Sequence, residues 1–289
     1  MNTPSHNNTR PGKIAIYAIT ALVITSAIHI TCIIISSVLL HNPIPGQIAA
    51  FTITGCIGAA VWSKNTASTP QKQPVGKNAA ILAVISCLFI ILANVFILGY
   101  LGSFNTSEVS DEQVRNLAWQ HPTTKNIATY IAVVLTTSLI GPVAEEMFFR
   151  GGLHTMLKKF TPSIAIATIV SATTFAISHA NPVQIIWTLP AGILFALAYE
   201  LTGSLVLPII LHIIYNTTLE SVHTVNILLG AENIFTKLTH GATGILFITV
   251  SLIGAGLSLV SLFAHVKNSR QGRDEVKNTW ARVSPAEGE

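Results

Sequence analysis

The chain has 289 residues, half of them apolar and a tenth charged, and its mean hydropathy is +0.59. A soluble domain carries about 25% charged residues, so the composition excludes a soluble globular enzyme and points to an integral membrane protein. A net charge of +4 and a pI near 9.0 do not signal a nucleic-acid binder, because the basic residues flank apolar segments, as membrane topology requires.

Read in chain order, a polar stretch at 1–12 precedes a first apolar span at 14–40. That span is longer than the roughly 7–15 apolar residues of a cleavable signal and reads as a retained helix. Further spans are expected at 47–62, 79–102, 126–157, 163–180, 184–200, 204–220 and 242–266. A crossing helix needs about 20 apolar residues, so the fourth is too long for one plain crossing. Pro142, after Gly141, removes a backbone donor there and predicts a kink just before two glutamates. The fold class is therefore all-α: a polytopic membrane helix bundle with about eight transmembrane helices. Three parts follow: a three-span region with inner and outer loops over 1–125, a core over 126–220, and a last span with a basic tail over 221–289. The outer loop is expected to hold a short surface helix around Asp111–Trp119. Cys32, Cys56 and Cys87 lie in apolar segments without metal or disulfide spacing and read as small buried hydrophobes.

Eight crossings put both termini on one side. With that side inside, twelve Lys and Arg residues fall on inner segments and three on outer loops, while Arg150 lies within a span. The positive-inside rule then places both termini in the cytoplasm.

Glu145-Glu146-Met147-Phe148-Phe149-Arg150 puts three charges inside the fourth span. Ionisable groups at membrane depth are costly and mark function by default. Glu146 and Arg150 are four apart and share a face, Glu first, which is the favourable order for an ion pair. Glu145 lies about 100° around the helix and is left free for general-base work. Phe175 and His179 share a face on the fifth span, as do His212 and Asn216 on the seventh. Measured along the helices from their inner ends, Glu145 lies roughly 20 Å deep, His179 about 25 Å, and His212 and Asn216 about 14 and 20 Å. One mid-membrane layer can therefore hold them all.

The pattern EExxxR, FxxxH, HxxxN, here Glu145-Glu146…Arg150, Phe175…His179 and His212…Asn216, resembles the CAAX protease and bacteriocin-processing family of intramembrane proteases, also called the Abi family. The stretch GILFALAYELTGSLVLPIILHIIYN is similar to that family's approach to its third motif. The resemblance covers roughly residues 138–220. It implies that Glu145 and His179 activate a water, that His212 and Asn216 stabilise the oxyanion, and that Glu146 and Arg150 support them. The set suits amide hydrolysis, which needs a deprotonated water and donors aimed at the developing negative oxygen.

Other protease chemistries fit poorly. No HExxH is present, Asp111 and Asp274 lie outside the spans, and Ser204 lies at a helix start on the same span as His212. Glu145, His179 and His212 could also form a carboxylate-plus-two-histidine site for a divalent metal such as zinc; the sequence leaves carboxylate-activated and metal-assisted water both open. The expected activity is intramembrane endopeptidase cleavage of a membrane-associated protein or peptide, with no nucleic-acid partner, in a membrane that is expected to be bacterial. There the substrate would be a small secreted peptide, a bacteriocin precursor or a signalling protein; where partners are prenylated, it would be a lipidated C-terminus. One alternative is a non-catalytic bacteriocin-immunity or partner-binding protein of the same fold. Another is a proton or ion transporter, which lacks clear inverted repeats here. Outside the motifs, His29 reads as a satisfied bundle histidine, His154 as interfacial, and Glu200 as a snorkelling or capping group. The basic tail reads as a topology anchor touching anionic lipid.

Overall fold

A computed structural model describes residues 9–65, 68, 76–100, 121–229, 238–239 and 241–283. Among them are eight helices and no strand: α1 (Pro11–Leu40), α2 (Ile44–Lys64), α3 (Lys77–Tyr100), α4 (Thr124–Leu157), α5 (Ile164–Ile177), α6 (Pro182–Thr202), α7 (Val206–Leu229) and α8 (Gly241–Val283). Six contain a stretch long and apolar enough to cross a membrane; α5 and the Val206–Val222 part of α7 are shorter apolar helices. The expected surface helix around Asp111–Trp119 lies outside the described residues.

Local chemistry sets the helix starts. Pro11 in the first turn of α1 and Pro45 in the first turn of α2 occupy positions where no intrahelical N–H is needed. Thr123 caps α4 by accepting from the Asn126 N–H at 3.2 Å, and Ser163 caps α5 by accepting from the Ile166 N–H at 3.3 Å.

The packing divides in two. One cluster joins α3, α6, α7 and α8 around Cys87, Ile91, Phe195, Leu211 and Leu262; another joins α1, α4 and α5 around Phe148, Phe149, Leu157 and Phe175. Outward faces are apolar: Ile16, Val38 and Leu257 are each more than 60% exposed, as surfaces solvated by lipid require. Of the cysteines, Cys87 is buried but Cys56 is exposed on the outer face of α2, so the expectation of three buried thiols fails there.

α4 shows how the chain accommodates Pro142. It runs without interruption, but its hydrogen bonding widens to a π pattern over Thr136–Ile140 and again over Met147–His154. Between them, Gly141–Glu146 is α-helical, begins with Pro142 in its first turn, and carries both glutamates. The Gly141 N–H donates to the Thr136 carbonyl, five residues back. The proline is thus absorbed by a wider turn, a device that recurs at functional sites. The last helix also differs: α8 continues to Val283, so the tail is helical well beyond the apolar segment that ends at Gly272.

α2 lies against the charged part of α4 because glycine permits it. A Cβ on Gly58 would fall 2.3 Å from the Met147 carbonyl oxygen, and one on Gly55 would fall 3.2 Å from Ala144 Cα. Close backbone approach through small residues is how membrane helices gain packing without a hydrophobic drive between them. Gly58→Ala should therefore lower stability by on the order of 1–3 kcal/mol through overpacking. Gly256→Ala, where nothing lies within 4 Å, should not. Thermal melts of the purified protein in detergent compare the two.

Candidate active site

The site is built outward from Glu146, whose side chain is fully buried. Its Oε1 accepts from Arg150 Nη1 at 2.7 Å, one helical turn on, and Arg150 is equally buried. Removing either partner would strand a charge in a low-dielectric interior, a loss of about 3–5 kcal/mol. Arg150 has further support. Its Nη2 donates to the Gly192 carbonyl at 2.9 Å, and its guanidinium lies over the rings of Phe175 (4.8 Å) and Phe195 (5.4 Å). Gly192 lets α6 come close enough, since a Cβ there would sit 3.1 Å from the Phe175 ring.

His212 reaches this pair from α7. Its Nδ1 lies 2.9 Å from the same Glu146 Oε1, and its Nε2 lies 3.5 Å from Glu145 Oε2. A carboxylate can only accept, so the Nδ1 proton donates to Glu146 and Nε2 is the nitrogen turned toward Glu145. The ring stacks on Phe195 with centroids 4.4 Å apart. Glu146 thus orients His212, while Glu145, whose side chain is 21% exposed, is the carboxylate open to other molecules.

His179 is not on a helix. α5 has 14 residues, about 21 Å, against about 30 Å of hydrocarbon, and it ends at Ile177. Irregular backbone within a membrane survives only where protein or a cavity surrounds it. His179 occupies the following turn, and Ala180 takes a left-handed φ of 54°, a strain of about 1–2 kcal/mol. The His179 Nδ1–H donates to the Phe175 carbonyl at 3.0 Å, which leaves Nε2 as an acceptor. Phe175 bridges the two imidazoles, its ring meeting His179 edge-on at 4.9 Å and His212 at 5.6 Å. The direct partner of Glu145 is therefore His212, and His179 joins the cluster through Phe175.

Asn216 shows why its span lies where it does. Its Nδ2 donates to the Thr137 carbonyl at 2.8 Å. In an i→i+5 pattern the donor to Thr137 would be the N–H of residue 142, which proline lacks. Asn216 thus satisfies a carbonyl that Pro142 leaves open, and its second amide hydrogen remains available.

Among the described residues no three His, Cys, Asp or Glu side chains converge as a metal-holding group. His179 does not close on Glu145 and His212 as a third ligand, so these side chains as placed do not complete the carboxylate-plus-two-histidine metal site that the sequence left open.

A second polar cluster lies toward the Lys158 end of α4. The fully buried His154 places Nε2 at 2.8 Å from Glu200 Oε1, Lys158 Nζ lies 3.3 Å from the same oxygen, and Arg270 of α8 donates to Glu200 Oε2. Thr155 and Tyr199 join their hydroxyls beside it at 2.9 Å. Burial pushes the Lys158 ammonium below its ordinary value, Glu200 pulls it back up, and Arg270 adds a smaller push down. Glu200 is thus a buried hub rather than a snorkelling group, His154 is a core residue rather than an interfacial one, and the tail helix is tied to the bundle. The signal was in the sequence: Glu146, Arg150, His154 and Lys158 recur every fourth residue.

Removing Asn216 should cost stability through its Thr137 partner. Asn216→Ala should lose about 1 kcal/mol in the native background and less in a Pro142→Ala background, where an N–H at residue 142 supplies the missing donor. A double-mutant cycle on thermal stability measures the difference.

Residues 127–218 match the family described as type II CAAX prenyl endopeptidase, Rce1-like. The membrane-embedded CAAX protease MroQ of Staphylococcus aureus (strain USA300) is 36% identical over 88 residues, which is 29% of this chain and 36% of that protein. The provisionally named membrane peptidase YdiL of Bacillus subtilis (strain 168) is 28% identical over 158 residues, 53% of this chain and 60% of that one. The chain thus spans less than two thirds of either relative's length. No solved structure matches the chain.

Proposed function

We propose that the chain is an intramembrane endopeptidase that hydrolyses a peptide bond of a membrane-associated protein or peptide, a reading supported by the match of residues 127–218 to the Rce1-like CAAX endopeptidase family. The observation that carries the reading is His212 held between two carboxylates, Nδ1 at 2.9 Å from Glu146 and Nε2 at 3.5 Å from Glu145. Glu146, fixed by Arg150, orients the imidazole and balances its charge when Nε2 is protonated. Glu145 and His179 Nε2 hold the attacking water, and Glu145 takes one of its protons. The water oxygen then bonds to the scissile carbonyl carbon, whose oxygen becomes an oxyanion. His212 Nε2–H and the second Asn216 amide hydrogen donate to that oxyanion. The C–N bond breaks as Glu145 returns its proton to the departing nitrogen, leaving a carboxylic acid and an amine.

Both named relatives are bacterial, which favours a small peptide or signalling protein in a bacterial cell membrane over a prenylated C-terminus. The distribution of basic residues supports cytoplasmic termini.

Purified protein in proteoliposomes, given candidate membrane peptides, should cleave one of them. Glu145→Ala, His179→Ala and His212→Ala should each lower kcat by roughly 100-fold or more, the scale of a lost general base or oxyanion donor. Equal cleavage by the native protein and all three variants ends the proposal, and protection or partner binding that survives them marks a non-catalytic protein instead.

A further inference from the structure

Four exposed cations, Arg10, Lys13, Lys64 and Lys159, gather at the corner where α1, α2 and the end of α4 meet. Phe160, just beyond α4, stands at its centre. The Phe160 carbonyl accepts from the Arg10 N–H at 2.9 Å, its ring stacks on Tyr17 of α1 with centroids 5.1 Å apart, and Lys13 Nζ lies 5.4 Å from the ring centroid. Lys159 reaches the other way and donates to Asn65 Oδ1. Asn65 follows Lys64, the last residue of α2. The Thr9 and Thr161 hydroxyls meet at 3.4 Å beside them.

These cations lack the counter-charge that their neighbours have. Lys158 and Arg270 are answered by the buried Glu200. Among the described residues, none of the four pairs with a carboxylate, and residues 1–107 hold five Lys and Arg but no Asp or Glu. The carbonyl ends of α2 and α4 offer only about half a negative charge each. A positive-inside count requires cations at this end of the bundle. It does not require that three helices bring them to one aromatic pair. The surroundings indicate what anion fits. Tyr17 and Phe160 are half-buried, as aromatic side chains at the level of lipid headgroups are. Ile16, one turn beyond Lys13, is 62% exposed, and Ile19 and Val23 continue the same strip of α1 at 60% and 61%. An apolar wall thus runs directly from the cations along the outside of the bundle.

We propose that this corner is a binding site for one anionic phospholipid, whose phosphate is received by Lys13, Lys64 and Lys159 and whose acyl chains lie along Ile16, Ile19 and Val23. A phosphodiester supplies the missing negative charge and acceptor oxygens for charge-assisted hydrogen bonds, and basic pockets between membrane helices suit such headgroups. The bound lipid bridges α1 and α2 to the end of the helix that carries Glu145 and Glu146, and so fastens that end of the bundle. The inference does not depend on the endopeptidase reading, because binding is measured without a substrate.

Native mass spectrometry of the full-length protein, released from micelles containing dioleoyl phosphatidylglycerol or dioleoyl phosphatidylcholine, tests the site. The native protein should retain one phosphatidylglycerol under activation that strips phosphatidylcholine, and its melting temperature should rise with the anionic lipid only. Lys13→Gln/Lys159→Gln should weaken retention of phosphatidylglycerol by roughly tenfold or more, and Lys13→Arg/Lys159→Arg, which keeps both charges, should restore most of it. Lys77→Gln/Lys267→Gln removes two exposed cations elsewhere on the chain and should leave retention close to native. Equal retention of the two lipids by the native protein overturns the site. So does an equal loss in the two glutamine variants, which marks diffuse attraction to a charged surface. Retention that survives Lys13→Gln/Lys159→Gln in full places the lipid elsewhere and overturns it as well.

Discussion

A fully buried carboxylate and a fully buried guanidinium, Glu146 and Arg150, meet at 2.7 Å inside a helix that crosses the membrane, and the surrounding bundle is arranged to make that tolerable. Neither charge can be left alone at this depth. Arg150 therefore draws in the Gly192 carbonyl and two aromatic faces from α5 and α6, and Glu146 draws in His212 from α7. Three helices converge on one turn of α4 because each supplies a group that the ion pair lacks. The convergence that neutralises the pair also fixes one face of the His212 imidazole and leaves the other facing Glu145.

The backbone around the pair departs from regular helix in ways that serve the same end. Widening on either side of Gly141–Glu146 accommodates Pro142 and exposes a carbonyl that Asn216 takes up. α5 stops short of a full crossing, so His179 sits in a turn at membrane depth beside a strained Ala180. Strain and irregular hydrogen bonding persist where packing over-determines them, here between the apolar cluster of α1, α4 and α5 and the face of α6. Beside the far end of α4, Glu200 of α6 repeats the logic with His154, Lys158 and Arg270, and so couples the long tail helix to the charged turn.

Much of this was legible in the residues. Apolar run lengths located all eight helices, and the four-residue spacing of Glu146 and Arg150 identified the ion pair, because both follow from local geometry. The same spacing extends to His154 and Lys158, yet their partner Glu200 lies on α6 and Arg270 on α8, so their burial could not be read from α4. Nor could the widened turns around Pro142 be read from the proline alone, since the carbonyl it leaves open is met by a donor from Asn216, 79 residues along the chain.

By itself the sequence determined that the chain is a membrane helix bundle with costly polar groups in its second half, since hydropathy and charge count act residue by residue. Only the tertiary structure decided which groups meet: that Glu145 faces His212, that Phe175 stands between the two imidazoles, and that His179 lies in the turn beyond its helix. Those outcomes depend on how far each helix extends, how closely glycine lets neighbours approach, and which buried donor finds which acceptor. They are properties of the packed bundle, and no single span contains them.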